Sequence, residues 1–158
     1  MTEHTDTPSP FLLRRLAAML YDTLLVLPLI MVSVAVAMGI GQLASGAEAG
    51  SPLNPYLVRV IALVTTIVFF CAFWMKSGQT LGMQAWRIKL VDFAGRTPGL
   101  GRSVLRCLAA VLSATCFGLG YLWCLVDRRG RYWHDYLSGT ELILMPKPAK
   151  KRGKKDKD

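Results

Sequence analysis

The sequence predicts an all-α integral membrane protein. Two transmembrane helices would form an antiparallel hairpin, followed by a third spanning or re-entrant helical segment and a small cytoplasmic β element. Hydrophobic residues make up 53% of the 158 residues and are concentrated in blocks, whereas soluble domains average about 45–50%. The longest block, Leu16 to Ile40, contains a single charge. About 20 apolar residues suffice to cross a bilayer, so this block is a spanning candidate.

Composition divides the chain into three parts. Residues 1–9 are polar and predict a mobile leader, and residues 10–145 predict one membrane domain. Residues 146–158 form a basic tail, which we expect to be disordered because blocks of like charge usually stay unfolded. Within the membrane domain, helices are expected over residues 11–40, 56–75 and 103–126.

The distribution of charge predicts the topology. Residues 76–106 carry six Lys or Arg against one acidic residue, and residues 128–158 carry ten against four, whereas residues 40–58 carry only Glu48. Short basic loops mark the cytoplasmic side of a membrane. We therefore expect a multi-pass protein of the cytoplasmic membrane, with its N-terminus and basic tail in the cytoplasm.

The segment from Ser103 to Val126 has two interpretations. It is long enough to span once, and Arg106 is its only charge. However, both flanks are basic, and a single crossing would place the basic C-terminal region outside. Gly118 and Gly120 offer a break in its second half. A re-entrant or broken pair of half-helices would return the chain to the cytoplasm, and a full third span is the alternative.

Two short segments predict the β element. Trp86 to Leu90 alternates apolar with basic residues, which is typical of a half-buried strand. Residues 140–145 also have an extended pattern. A two-stranded hairpin is marginally stable in water, so we expect it to pack against the helices at the membrane surface.

Asp22 is the most informative residue of the chain. A carboxylate near the middle of a spanning helix costs roughly 2.5–3.5 kcal/mol on insertion scales and commonly marks an ion pathway or proton relay. Arg15 lies seven residues away on the same helical face, but about 10 Å separates their Cα atoms. Thr23 is a candidate helper at an ion or proton site.

The charged segment after the last apolar block supplies further partners. Asp135 is expected to meet Arg15 at the cytoplasmic interface. Arg106 or Arg128 would serve Asp22 if the third segment enters the membrane. Asp127 and His134 are additional candidates for this polar network.

Other classes of function have little support in the sequence. His134 and Asp135 are adjacent, and no nucleophile or nucleotide fingerprint accompanies them, so we expect no enzyme. The four cysteines lie in apolar stretches without metal-ligand spacing, and we predict no metal site and no cofactor. The basic tail lacks interleaved aromatic residues, so we expect it to contact anionic lipids and not nucleic acid.

Several ordered motifs together resemble the RDD family of small bacterial membrane proteins, which is named for one arginine and two aspartates. The resemblance covers about Pro10 to Met145. Asp135 is the better candidate for the second aspartate, and Asp127 is its rival. The matching segments are Arg14–Asp22, which holds Arg15 and Asp22, then Ser77–Gly82, Arg102–Arg106 and Tyr132–Thr140.

The resemblance implies a location in the bacterial inner membrane and leaves two functions open. Transport has been suggested for the family, including exchange of monovalent cations and protons, and two or three membrane segments would need a homo-oligomer to enclose a path. In the alternative, Arg15, Asp22 and Asp135 form a polar network that orients the helices of a non-catalytic accessory or scaffold protein, which docks other membrane proteins.

Overall fold

A computed structural model describes residues 10–46, 52–127 and 130–146. The predicted leader, part of the outer loop, Arg128 and nearly all of the basic tail lie outside these residues. The described part is mostly helical, with one two-stranded sheet. Its elements are α1 (Leu12–Ser45), α2 (Pro55–Ser77), α3 (Leu81–Ala85), β1 (Ile88–Asp92), α4 (Leu100–Thr115), α5 (Leu119–Leu122), a 3₁₀ turn (Trp123–Leu125), α6 (Trp133–Ser138) and β2 (Thr140–Leu144).

Helices α1 and α2 are each long and apolar enough to cross a membrane. The 34 residues of α1 extend about 51 Å, well beyond the roughly 30 Å of a bilayer core. It runs five residues further than predicted because Gly39 and Gly41 do not end it, and the chain leaves the helix only at Gly46, where φ is +64°. Asn54 caps α2 by accepting a hydrogen bond from the Tyr56 N–H.

The third apolar segment had been given a single helical range, residues 103–126. In the structure it is not one continuous helix. Helix α4 and the segment from α5 to Leu125 meet at an angle of 106°. The break falls at the predicted glycine, since Gly118 has a φ of +75°, and Phe117 before it also has a positive φ. The 16 residues of α4 extend only about 24 Å, which is shorter than a bilayer core.

The predicted β element is present as an antiparallel pair in which Leu90 faces Leu142. Strand β1 starts two residues later than expected, because Trp86 and Arg87 form the turn that follows α3. Burial alternates from Ile88 to Leu90, but Val91 and Asp92 are then both buried. The end of this strand is therefore covered on both faces, which a half-buried pattern did not predict.

The core lies where the N-terminal part of α1 meets the C-terminal part of α2. Helix α3, strand β1 and helix α4 close around the same point. Most of the remaining surface of α1 exposes large apolar side chains, as expected for a helix that faces lipid. The buried core residues are Ala18, Cys71, Trp74, Met83, Ile88, Leu90 and Cys107.

Candidate functional site in a cavity between the long helices

A cavity of about 360 Å³ lies among α1, α2 and α4. Its walls are mostly apolar, and its polar groups come from separate parts of the chain. The structure thus brings together residues that the sequence analysis had singled out one by one. The polar lining includes Arg15, Asp22, Thr23, Thr66, Arg106 and His134.

Asp22 anchors α3 to α1. Its side chain is 3% exposed. Its Oδ2 accepts a hydrogen bond of 2.5 Å from the Thr80 hydroxyl, and its Oδ1 accepts one of 2.9 Å from the Gly82 N–H. Thr80 is the N-cap of α3 and accepts from the Met83 N–H. Asp22 therefore satisfies an amide at a helix N-terminus, where a carboxylate is favourable.

Of the two arginines predicted near Asp22, the structure describes only Arg106. Arg106 pairs with Asp135 and does not serve Asp22, while Arg128 lies outside the described residues. Among the residues that the structure describes, no Lys or Arg forms an ion pair with the Asp22 carboxylate. Within the described ranges, neutral donors alone therefore hold this buried carboxylate.

Arg15 also differs from its predicted role, because it does not meet Asp135. Its Nε donates to the Pro10 carbonyl at 2.9 Å and its Nη1 donates to the Gly130 carbonyl at 2.7 Å. Its guanidinium lies 4.8 Å from the centre of the Tyr132 ring. Arg15 thus connects the start of α1 to the segment that precedes α6.

The buried ion pair of the structure joins α4 to α6. Arg106 Nη1 lies 2.5 Å from Asp135 Oδ1 and 2.7 Å from the Thr140 hydroxyl. Asp135 Oδ2 accepts a hydrogen bond of 2.7 Å from the Tyr132 N–H. Both side chains of the pair are almost fully buried. This network fixes the short C-terminal elements against the third apolar segment.

His134 is enclosed by aromatic rings. Its ring stacks on Tyr132 at 4.9 Å between centroids and lies 5.1 Å from Tyr121. Burial lowers the pKa of His134 to about 3, with the Arg106 charge acting in the same direction and Asp135 opposing it. Burial also raises the pKa of Tyr132, which the nearby Arg15 charge partly offsets. His134 is therefore a neutral ring at physiological pH.

The burial of His134 predicts a pH-dependent stability. Below its ordinary pKa of 6.5 the unfolded chain binds a proton that the folded chain refuses until about pH 3. The free energy of unfolding is thus expected to fall by up to about 1.4 kcal/mol per pH unit as the pH drops below 6.5. Unfolding in detergent measured between pH 7 and pH 5 would show this slope.

The chain contains only two histidines, which supplies a matched control for that experiment. His134→Phe keeps an aromatic ring in the stack and should remove most of the slope. His4→Gln should leave it unchanged. An unaltered slope in His134→Phe would show that another group takes up the proton.

The remaining candidate residues, Thr23 and Asp127, lie in different parts of the structure. Thr23 lines the cavity and donates to the Met19 carbonyl at 2.8 Å. Asp127 accepts from the Arg131 N–H at 2.8 Å and from the Tyr136 hydroxyl at 2.9 Å. It lies away from the cavity, in a turn that leads to α6.

Sequence reasoning missed the direct partners of the charged residues. Thr80 and Gly82 hold Asp22, and Thr140 joins the Arg106–Asp135 pair. The available signal was weak: a threonine before a short apolar segment is a typical N-cap, which would have predicted α3 at Thr80. Nothing in the local sequence indicated that its amides would meet Asp22.

Two helices long and apolar enough to cross a membrane, with polar groups in the cavity between them, are consistent with a small membrane protein. The sequence model of the RDD family matches residues 9–139, which is more than half of the chain. The protein therefore belongs to the RDD family. No curated protein and no solved structure matches it.

Proposed function

We propose that the protein exchanges monovalent cations and protons across the bacterial inner membrane, with Asp22 as the site at which they compete. The observation that carries the proposal is the environment of this carboxylate. It is buried in a helix long and apolar enough to span, at the wall of a cavity, with neutral donors only among the described residues. A buried charge without a partner of opposite sign is costly, so a cation or a proton would stabilise it.

The hydrogen bonds around Asp22 leave room for such a ligand. A carboxylate offers about four acceptor positions, and Thr80 and Gly82 occupy two. Thr23 and Thr66 line the same cavity, and each hydroxyl donates its proton to a carbonyl of its own helix. Their oxygen atoms are thus available as ligands for a cation. A proton on Asp22 would weaken that site, which couples the two species.

Transport also needs a complete path, and we propose that a homo-oligomer forms it. One chain contributes two long apolar helices and a bent pair. The shortness of α4 and the bend after it favour the re-entrant arrangement, which keeps the basic tail in the cytoplasm beside anionic lipids. Crosslinking in native membranes should therefore recover dimers or larger species, and recovery of monomers alone would contradict this part of the proposal.

Proton flux in proteoliposomes tests the exchange directly. Na⁺, Li⁺ and K⁺ would be added to vesicles that carry an imposed pH gradient. Wild type should dissipate the gradient with at least one of these ions, and Asp22→Asn should reduce that flux to the background of empty vesicles. Asparagine keeps an acceptor for Gly82 but removes the charge, so the loss would report on the charge.

Glu141→Gln is the matched control, because it makes the same chemical change at a partly exposed carboxylate in the sheet. It should retain wild-type flux. Full flux from a folded Asp22→Asn variant would remove Asp22 from the path. No flux from well-reconstituted wild-type oligomers would reject cation/proton exchange.

The alternative function is a non-catalytic accessory or scaffold protein, and one observation favours it. Arg15, Asp22 and Asp135 each bond to a different segment of the chain, as a purely architectural network would. Interhelical polar contacts in membranes contribute about 0.6 kcal/mol on average, so their role would be to specify the arrangement of helices. Absent flux together with a crosslinked membrane partner would support this function.

A further inference from the structure

We propose that the cavity also binds an amphipathic anion, with an oxyanion head group beside Arg15 and an apolar chain along α2 and α4. This ligand would use other atoms than the cation site at Asp22. The inference therefore goes beyond cation/proton exchange, and each can fail without the other.

Arg15 supplies the first observation. It is 5% exposed, and its partners are neutral: the carbonyls of Pro10 and Gly130 accept from two of its five N–H donors, and the Tyr132 side chain also contacts its guanidinium. Throughout the described ranges, none of the carboxylates forms an ion pair with it. Buried cations in proteins are normally paired. A bound anion would supply the missing charge, and a carboxylate or phosphate fits the planar guanidinium fork.

Two unpartnered nitrogen atoms supply the second observation. Within the part of the chain that the structure describes, Trp74 Nε1 and His134 Nδ1 are buried and have no hydrogen-bond partner. Both residues line the cavity and are at least nine-tenths buried. An indole N–H can only donate, and unsatisfied buried donors are costly. The site thus combines a free donor with a cation and favours a ligand rich in oxygen.

The apolar walls of the cavity favour an apolar chain as the remaining part of the ligand. Leu63, Ile67 and Phe70 follow one face of α2 at intervals of four and three residues, and Ala110 and Ala114 line the opposite wall from α4. These small alanines leave space between the helices. The volume of about 360 Å³ lies at the lower end of the range for small-molecule sites.

The position of Asp22 orients the ligand. Its charge lies about two helical turns from Arg15, so an anionic head group would be repelled from that part of the cavity and held near Arg15. An amphipathic anion dissolved in the bilayer could enter between helices without first crossing water. The head group is an oxyanion in either case, whether a fatty-acid carboxylate or a lipid phosphate.

Native mass spectrometry of the full chain, released from a neutral detergent, tests the proposal. Dodecanoate, dodecyl phosphate and dodecanol share one chain and differ in the head group. We expect both anions to bind more tightly than dodecanol, by about tenfold for one charge-assisted interaction. Preference for the phosphate would indicate a lipid phosphate as the source, and preference for the carboxylate would indicate a fatty acid.

Three variants connect binding to the site. Arg15→Gln should weaken dodecanoate binding about tenfold. Trp74→Phe keeps the ring and removes only the N–H, so it provides a weaker but structurally mild test. Arg59→Gln is the control, since Arg59 lies against Tyr56 at the start of α2 and not at the cavity. Equal binding of dodecanol, or affinities unchanged in both Arg15→Gln and Trp74→Phe, would overturn the proposal.

Asp22→Asn separates this proposal from the exchange activity. It should keep or strengthen dodecanoate binding, because it removes a repulsive charge while Arg15 stays in place. Binding that persists when flux is absent would support the anion site alone. Flux without binding would reject the anion site and leave the exchange intact.

Discussion

Replacing Arg106 with Gln is expected to lower the free energy of unfolding by about 3–5 kcal/mol, because one charge of a buried pair is left without its partner. Asp135→Asn should have a similar effect. The two side chains are 4% and 1% exposed, and Thr140 and the Tyr132 N–H complete their hydrogen bonds. Equilibrium unfolding in mixed detergent micelles would measure both losses.

The size of that loss in the free energy of unfolding distinguishes an ion pair surrounded by lipid from one buried within protein. Polar contacts between helices within a bilayer contribute about 0.6 kcal/mol on average, whereas breaking a buried pair in a water-soluble domain costs several kcal/mol. Asp135 lies on the short helix α6, which packs mainly against α4 and strand β2, and protein atoms cover both side chains of the pair. We therefore expect the larger value, and a loss below about 1 kcal/mol would indicate a site surrounded by lipid.

Two further variants control the interpretation. Arg106→Met combined with Asp135→Leu removes both charges and should recover much of the lost stability, because no unpaired charge remains. Glu141→Gln breaks the partly exposed pair with Arg131 and should cost no more than about 1 kcal/mol. A double variant as unstable as the single ones would show that packing at Arg106 matters more than its charge.

The long helices could be predicted from the sequence because a single local feature, a long run of apolar residues, specifies them. The apolar run around α1 is long enough to span, and the helix continues through Pro28, its one proline. The ends were less predictable: α1 continues through Gly39 and Gly41, where an added Cβ would meet nothing within 4 Å. In α1 the helix ends where the backbone enters the left-handed region, at Gly46, and not at the first glycines of the segment.

The third segment shows the opposite case. Hydrophobicity alone predicted one helix, whereas the glycines predicted a break. The structure has the break. Helix α4 ends at Thr115, before it is long enough to span, and the chain then turns through positive φ angles at Phe117 and Gly118. Here local backbone conformation decides the architecture, and the apolar composition of the segment does not.

The charged site could be predicted only in part. Asp22 was identified because ionisable groups are rare inside apolar helices, Arg15 because it shares a helical face with Asp22, and Asp135 because it lies in the charged segment after the last apolar block. The structure does place Arg15 and Asp22 at one cavity. The partners predicted for these residues were wrong, because the pairing was inferred from charge and sequence separation. Asp22 instead takes neutral donors from α3, a five-residue helix without a strong sequence pattern. Such contacts depend on tertiary packing, which a single sequence does not reveal.

The contact between α3 and α1 depends on the absence of a side chain at position 82. A Cβ on Gly82 would overlap the carbonyl oxygen of Ala18 and would lie 2.9 Å from Asp22 Oδ1. We expect Gly82→Ala to lower the free energy of unfolding by about 3 kcal/mol, since α3 must move away and the Gly82–Asp22 hydrogen bond is lost. Unfolding in mixed micelles would measure the change.

Gly101→Ala is the matched control, because Gly101 lies in the first turn of α4 with nothing within 4 Å of an added Cβ. It should be neutral or slightly stabilising, since alanine favours a helix over glycine. Equal stability of the two variants would show that α3 is not held against α1. Ala18→Gly should not rescue Gly82→Ala, because the overlapping atom at Ala18 belongs to the backbone. A side-chain deletion there leaves the obstacle in place, so α3 can recover its position only if Gly82 is restored.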